Sequence, residues 1–142
     1  MSASDYVSSF VAIVLGLAVA DLAASLHRLL RARARVKWDH MPLLAALGAG
    51  LSCVSGWWGL YDDFSGQVSL VEFLPTLVVL VLLFLLASAA LPDEVPAEGI
   101  DLRAYYMENR RYFWGLFALW MATVLLRDLL ITAERGGAQV AP

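Results

Sequence analysis

The chain has 142 residues, which fits one domain, and 61% of them are hydrophobic against about 45–50% in a typical soluble domain. Charged residues make up only 16%, are gathered in clusters and leave a net charge of −3, so there is no basic excess for nucleic acid. The single cysteine, Cys53, excludes an intrachain disulfide and any CxxC redox or zinc site.

A mean hydropathy of +0.70 points to the bilayer as the solvent. The first apolar segment runs from Tyr6 to Leu30, interrupted by Asp21, and passes straight into an arginine cluster. No basic residue precedes it, so it reads as a retained anchor and not as a cleavable signal peptide. The second segment, Met41 to Tyr61, has no formal charge, and Pro42 suits its first turn. The third, Phe73 to Leu91, is also uncharged; Pro75 reads as a first-turn residue or a mild kink, and Pro92 and Pro96 end the helix around Asp93 and Glu94. Asp101 is placed to cap a helix that continues into the fourth segment, Tyr112 to Ala133, where Arg127 and Asp128 interrupt the apolar run. Each segment approaches or exceeds the roughly 20 residues that cross a hydrocarbon core of about 30 Å. The expectation is an all-α, integral membrane four-helix bundle, a single domain over residues 1–142 with spans at about 6–30, 41–61, 73–91 and 112–133.

Lysine and arginine set the direction. Arg28, Arg31, Arg33, Arg35 and Lys37 follow the first segment, and Arg103, Arg110 and Arg111 follow the third. The link after the second has none and the C-terminal tail has Arg135. The positive-inside rule then places the first and third links in the cytoplasm and both termini outside, N-out/C-out. Trp57, Trp58 and Tyr61 fit an outer aromatic belt, and Trp38, Tyr105, Tyr106 and Trp114 an inner one.

Small residues permit close helix approach in lipid, where apolarity alone gives helices no reason to associate. Ala12, Gly16, Ala20 and Ala24 recur at every fourth position of the first segment, and Gly48, Ser52 and Gly56 do so in the second. The two faces either pack on each other within one chain or present at least one interface between subunits. The third segment, Leu- and Val-rich all round, is expected to meet the most lipid.

An ionisable side chain inside a span is a functional candidate, because placing it there takes several kcal/mol. Asp21 lies about 22 Å along its helix from Tyr6, near the cytoplasmic edge, with Ser25, Arg110 or Arg111 as expected partners. It serves either as a packing group or as a proton- or cation-binding carboxylate. Arg127 and Asp128 fall near the outer edge, with Glu72, Asp62 or Asp63 as partners; being adjacent, they point about 100° apart and need separate environments. Ser52, Ser55 and Thr123 are the few polar groups between the two levels. His27 and His40 lie at the edge of the membrane and do not suit a haem, no lysine occupies a span, and no Ser/His/Asp or HExxH arrangement occurs. No catalytic residue, metal site or cofactor is expected. The alternating Arg31, Arg33 and Arg35 read as a topology determinant that attracts anionic lipid headgroups at the cytoplasmic face. The stretch IDLRAYYMENRRYFWGLF, with Tyr105, Tyr106, Glu108, Asn109, Arg110 and Arg111, is either an interfacial helix entry or a cytoplasmic surface that docks a partner or headgroups.

Through GLAVADLAASLHRLLRAR, WWGLYD and DLRAYYMENRR, the chain resembles an uncharacterised family of small four-helix bacterial inner-membrane proteins. The resemblance covers most of the chain and implies the same multi-pass topology in the inner membrane, with no activity or site residues attached. The leading expectation is a non-enzymatic membrane protein that works by assembly, as a homo-oligomer or as an accessory subunit of a larger membrane complex. A small ion or proton channel using Asp21, Arg127 and Asp128 is the alternative, and a lipid-acting enzyme is third because no nucleophile–base pair is visible.

Overall fold

The computed structural model describes residues 2–61 and 69–138. Among them are four long helices, α1 (Ala3–Arg31), α2 (His40–Tyr61), α3 (Leu70–Ala90) and α4 (Leu102–Ala138). All four contain stretches long and apolar enough to cross a membrane.

Local chemistry sets where each helix begins. Ser2 and Asp5 form a capping box on α1: the Ser2 amide donates to the Asp5 carboxylate at 2.7 Å, and the Asp5 amide to Ser2 Oγ at 3.3 Å. Asp39 accepts from the Met41 amide at 2.9 Å, which satisfies an orphan donor at the head of α2, with Pro42 buried in the first turn. Asp101 caps α4 by accepting from the amides of Arg103 and Ala104 at 3.0 and 3.3 Å. At α3 the box is Ser69 and Glu72, with the Ser69 amide 3.0 Å from Glu72 Oε2. This cap starts α3 one turn earlier than the apolar run suggests. Pro75 therefore lies inside the helix, past the first turn, where its missing N–H leaves the Val71 carbonyl without its usual i+4 donor.

The links carry a feature absent from the expectations. A 3₁₀ turn (Arg33–Arg35) leads from α1 into β1 (Val36–Lys37), which pairs in parallel with β2 (Ile100–Asp101), Val36 opposite Ile100 and Lys37 opposite Asp101. Arg35 Nη1 donates to the carbonyls of Pro96 and Ala97, both at 3.3 Å. Gly99 closes the turn with φ +97°, and a Cβ on it would lie 2.4 Å from the Arg35 carbonyl oxygen. Only glycine meets both the left-handed backbone and that approach. The clamp holds the α1–α2 and α3–α4 links, and with them the arginines that follow α1, at one end of the bundle. Beneath it lie Leu29, Val36, Leu91 and Leu102, all buried.

The helices pack differently from the expectation. Contrary to the lipid-facing role expected of it, α3 is the central helix and packs against α1, α2 and α4. Its most hydrophobic stretch is 39% buried, against 17%, 22% and 6% in α1, α2 and α4. An all-round Leu/Val helix is equally at home against lipid tails and against other helices, so its apolarity does not tell the two apart. Nor do the two small-residue faces close on each other. The buried line of α1 is Val11, Leu15, Ala18, Ser25 and Leu29, while Ala12, Gly16 and Ala20 are exposed and Ala24 is half-buried. Within the α1–α2 contact Leu22 lies over Gly50, 3.5 Å from where a Cβ would stand. Gly56 meets α3, where a Cβ would come within 2.9 Å of Leu83 Cδ1, and Ser52 donates back to the Gly48 carbonyl at 2.8 Å. Gly16 and Gly48 have open space above them.

Gly99→Ala should lower thermal stability in detergent by about 1–3 kcal/mol, because the alanine is strained at positive φ and collides with backbone. Gly16→Ala, in open space inside a helix, should be neutral or stabilising by up to about 1 kcal/mol. Equal melting temperatures for the two variants would contradict the clamp.

Candidate functional site

One group of polar side chains inside the bundle lies toward the clamped end. Asp21 in α1 and Ser88 in α3 are both half-buried, and Ser88 Oγ donates to Asp21 Oδ2 at 2.6 Å. The hydroxyl gives the half-buried carboxylate a directed partner. One turn on, Ser25 is buried and accepts from Arg28 Nη2 at 3.0 Å. Asp21, Ser25 and Arg28 follow i, i+4, i+7 spacing and so share one face of α1. This differs from the pairing expected for Asp21: Ser25 is engaged by Arg28, and Arg110 points its Nη1 toward Met107 Sδ at 3.8 Å.

Just beyond Arg28 the face opens into a cleft of about 520 Å³ lined by Arg28, Arg31, Ala32, Arg35, Glu94 and Val95. Two elements shape it, the end of α1 with its 3₁₀ turn and the segment after α3. Their mutual position is fixed by the Arg35 hydrogen bonds and the β1–β2 pair.

The start of α4 divides into two kinds of residue. Tyr105 donates its hydroxyl to the Ala89 carbonyl at 3.2 Å, satisfying a carbonyl in the last turn of α3, and Asn109 Nδ2 donates to the Tyr105 carbonyl at 3.0 Å. Tyr106 accepts from Trp114 Nε1 at 2.9 Å. Glu108, Arg110 and Arg111 are exposed. The tyrosines thus hold α4 together and against α3, and the charges are what this stretch presents outward.

Arg127 and Asp128 lie far along α4. Their environments differ, Arg127 being 13% and Asp128 62% exposed, while Arg127 Nη1 stands 3.7 Å from Asp128 Oδ1. Glu72, expected to pair with Arg127, holds the α3 cap, and Asp62 and Asp63 fall outside the described residues. Thr123 and Ser52 donate to carbonyls of their own helices at 2.8 Å each, so neither extends a polar line between Asp21 and Arg127. Trp120 Nε1 is buried with no hydrogen-bond partner among the described residues. Among the described residues no three His, Cys, Asp or Glu side chains come close enough to share a metal ion.

Ser88 and Gly99 escaped sequence reasoning. Ser88 sits in the small-residue end of an otherwise uncharged span, and a serine there carries no periodic signal. Gly99, after Pro96-Ala97-Glu98, looks like an ordinary loop glycine.

Asp21→Ala and Ser88→Ala, made singly and together, should show a coupling of about 0.6–2 kcal/mol in unfolding measurements, the range for hydrogen bonds between membrane helices. Strict additivity would mean that the two side chains do not interact. Compared with protein-family models, curated proteins and solved structures, the chain matches none of them.

Proposed function

We propose that the chain is a multi-pass protein of the bacterial inner membrane that acts without catalysis, by assembly, as a homo-oligomer or as an accessory subunit of a larger membrane complex. The clamped end, with its arginines, faces the cytoplasm and both termini face outward, as the lysine and arginine distribution favours. Lipid placement is supported by the apolar residues left on the surface of every helix, among them Ile13 and Leu17 of α1, Leu44 and Leu51 of α2, Val78 of α3 and Leu125 and Leu126 of α4.

The observation that carries the assembly reading is the unused small-residue surface. Ala12, Gly16 and Ala20 line an exposed strip of α1, and Gly16 and Gly48 have nothing within 4 Å of where a Cβ would stand. Glycine in mid-helix weakens a helix by about 1 kcal/mol relative to alanine, and the fold of the single chain gives nothing back for it at these positions. Close approach of a second helix would. The resemblance to small four-helix inner-membrane proteins agrees with this placement.

A small ion or proton channel is the second reading, favoured by the half-buried Asp21 carboxylate in α1. Proton flux into liposomes that is unchanged by Asp21→Asn removes its main residue.

Gly16→Leu and Gly48→Leu extend into open space, so the single chain should still fold. Each should shift the particle measured in detergent toward the 15.5 kDa monomer. An assembly mass unchanged in both variants would contradict a role for this surface.

A further inference from the structure

The arginine-walled cleft at the clamped end has chemistry that neither packing nor topology uses up. Three guanidinium groups and one carboxylate line it, Arg28, Arg31 and Arg35 against Glu94, giving the lining a formal charge of +2. No carboxylate of a described residue forms an ion pair with any of the three arginines. Arg28 gives one bond to Ser25 and Arg35 reaches two backbone carbonyls through Nη1, which leaves most of their N–H donors uncommitted; the Arg31 side chain makes no hydrogen bond with the described residues. Guanidinium forks without carboxylate partners are suited to the oxygens of a phosphate, which they bind in bidentate fashion.

Depth selects the source of that phosphate. Arg28 lies about 33 Å along α1 from Tyr6 and Arg31 about 37 Å, just past a hydrocarbon core of about 30 Å and within the headgroup layer. The cleft also has an apolar side, Ala32 and Val95, and its two walls are locked by the clamp before any ligand arrives. Its volume of about 520 Å³ exceeds what a bare phosphate needs and suits a headgroup with its glycerol.

We propose that this cleft is a discrete binding site for the phosphate headgroup of an anionic phospholipid, held by Arg28 and Arg31 with Arg35 as the braced third donor. It differs from diffuse attraction of the basic link to a charged surface, because Val95 forms part of its wall and the Pro96 and Ala97 carbonyls hold Arg35 in place. It rests on the transmembrane placement of α1 and not on assembly.

The test uses the full chain in dodecyl maltoside micelles with equimolar dioleoylphosphatidylglycerol and dioleoylphosphatidylcholine, counting retained lipid by native mass spectrometry. Wild type should retain phosphatidylglycerol in preference to phosphatidylcholine by about tenfold. Arg28→Lys/Arg31→Lys keeps every charge and so the orientation, but loses the forks; it should lose most of that preference. Arg33→Gln/Lys37→Gln removes two charges from the same link outside the cleft and should keep the preference. Inorganic phosphate at matched concentration should leave lipid retention unchanged. Equal retention of the two lipids by wild type, an undiminished preference in the lysine variant, an equal loss in the variants inside and outside the cleft, or displacement by inorganic phosphate would each overturn the proposal. A chain that stays in solution without detergent would instead refute the membrane placement itself.

Discussion

Two residue pairs of parallel strand and one left-handed glycine tie the α1–α2 and α3–α4 links together. Val36 opposite Ile100 and Lys37 opposite Asp101 align the links, and Gly99 lets the chain pass against the Arg35 carbonyl where a side chain has no room. Arg35 then reaches across to the carbonyls of Pro96 and Ala97. Helices in lipid slide easily, because tails are as apolar as leucine. A fixed joint between the ends of α1 and α3 removes much of that freedom. It sets the register in which Ser88 meets Asp21, and it shapes the cleft below them.

With this joint in place, α3 serves as the spine of the bundle without a charged residue past its first turn to mark it. Leu80, Leu83 and Leu86 are fully buried on one side, while Val78, Val81 and Leu85 stay exposed on the other. Around it α1 and α2 turn their small residues partly inward and partly outward. Gly56 accommodates Leu83, whereas Gly16 and Gly48 accommodate nothing in the single chain. The outward strip is the surface on which the proposed association rests, and the face of α1 that runs from Asp21 through Ser25 to Arg28 leads to the proposed lipid site.

Much of the fold was legible in the sequence. Four apolar runs became four helices, and Asp101 capped α4 as its position ahead of Arg103 and Ala104 suggested. Failures came where the deciding information is not periodic. The α3 start depends on Ser69 and Glu72, a capping box hidden because Glu72 read as a partner for Arg127. Burial of α3 could not be read because its helix is apolar on every side. The partner of Asp21 is a serine 67 residues away, a pairing that only the tertiary register supplies. Arg127 and Asp128 occupy the different environments that helical geometry calls for, and the long arginine still comes within 3.7 Å of its neighbour.

The clamp makes a claim about sidedness that labelling can settle most directly. In a Cys53→Ser background, single cysteines at Ala34 and Glu98 probe the two links, and cysteines at Ser2 and Gly137 probe the ends. A membrane-impermeant maleimide applied to intact cells should label positions 2 and 137 and spare 34 and 98 until the membrane is opened. Labelling of 34 and 98 from opposite sides of the membrane would contradict the clamp and the fold built on it.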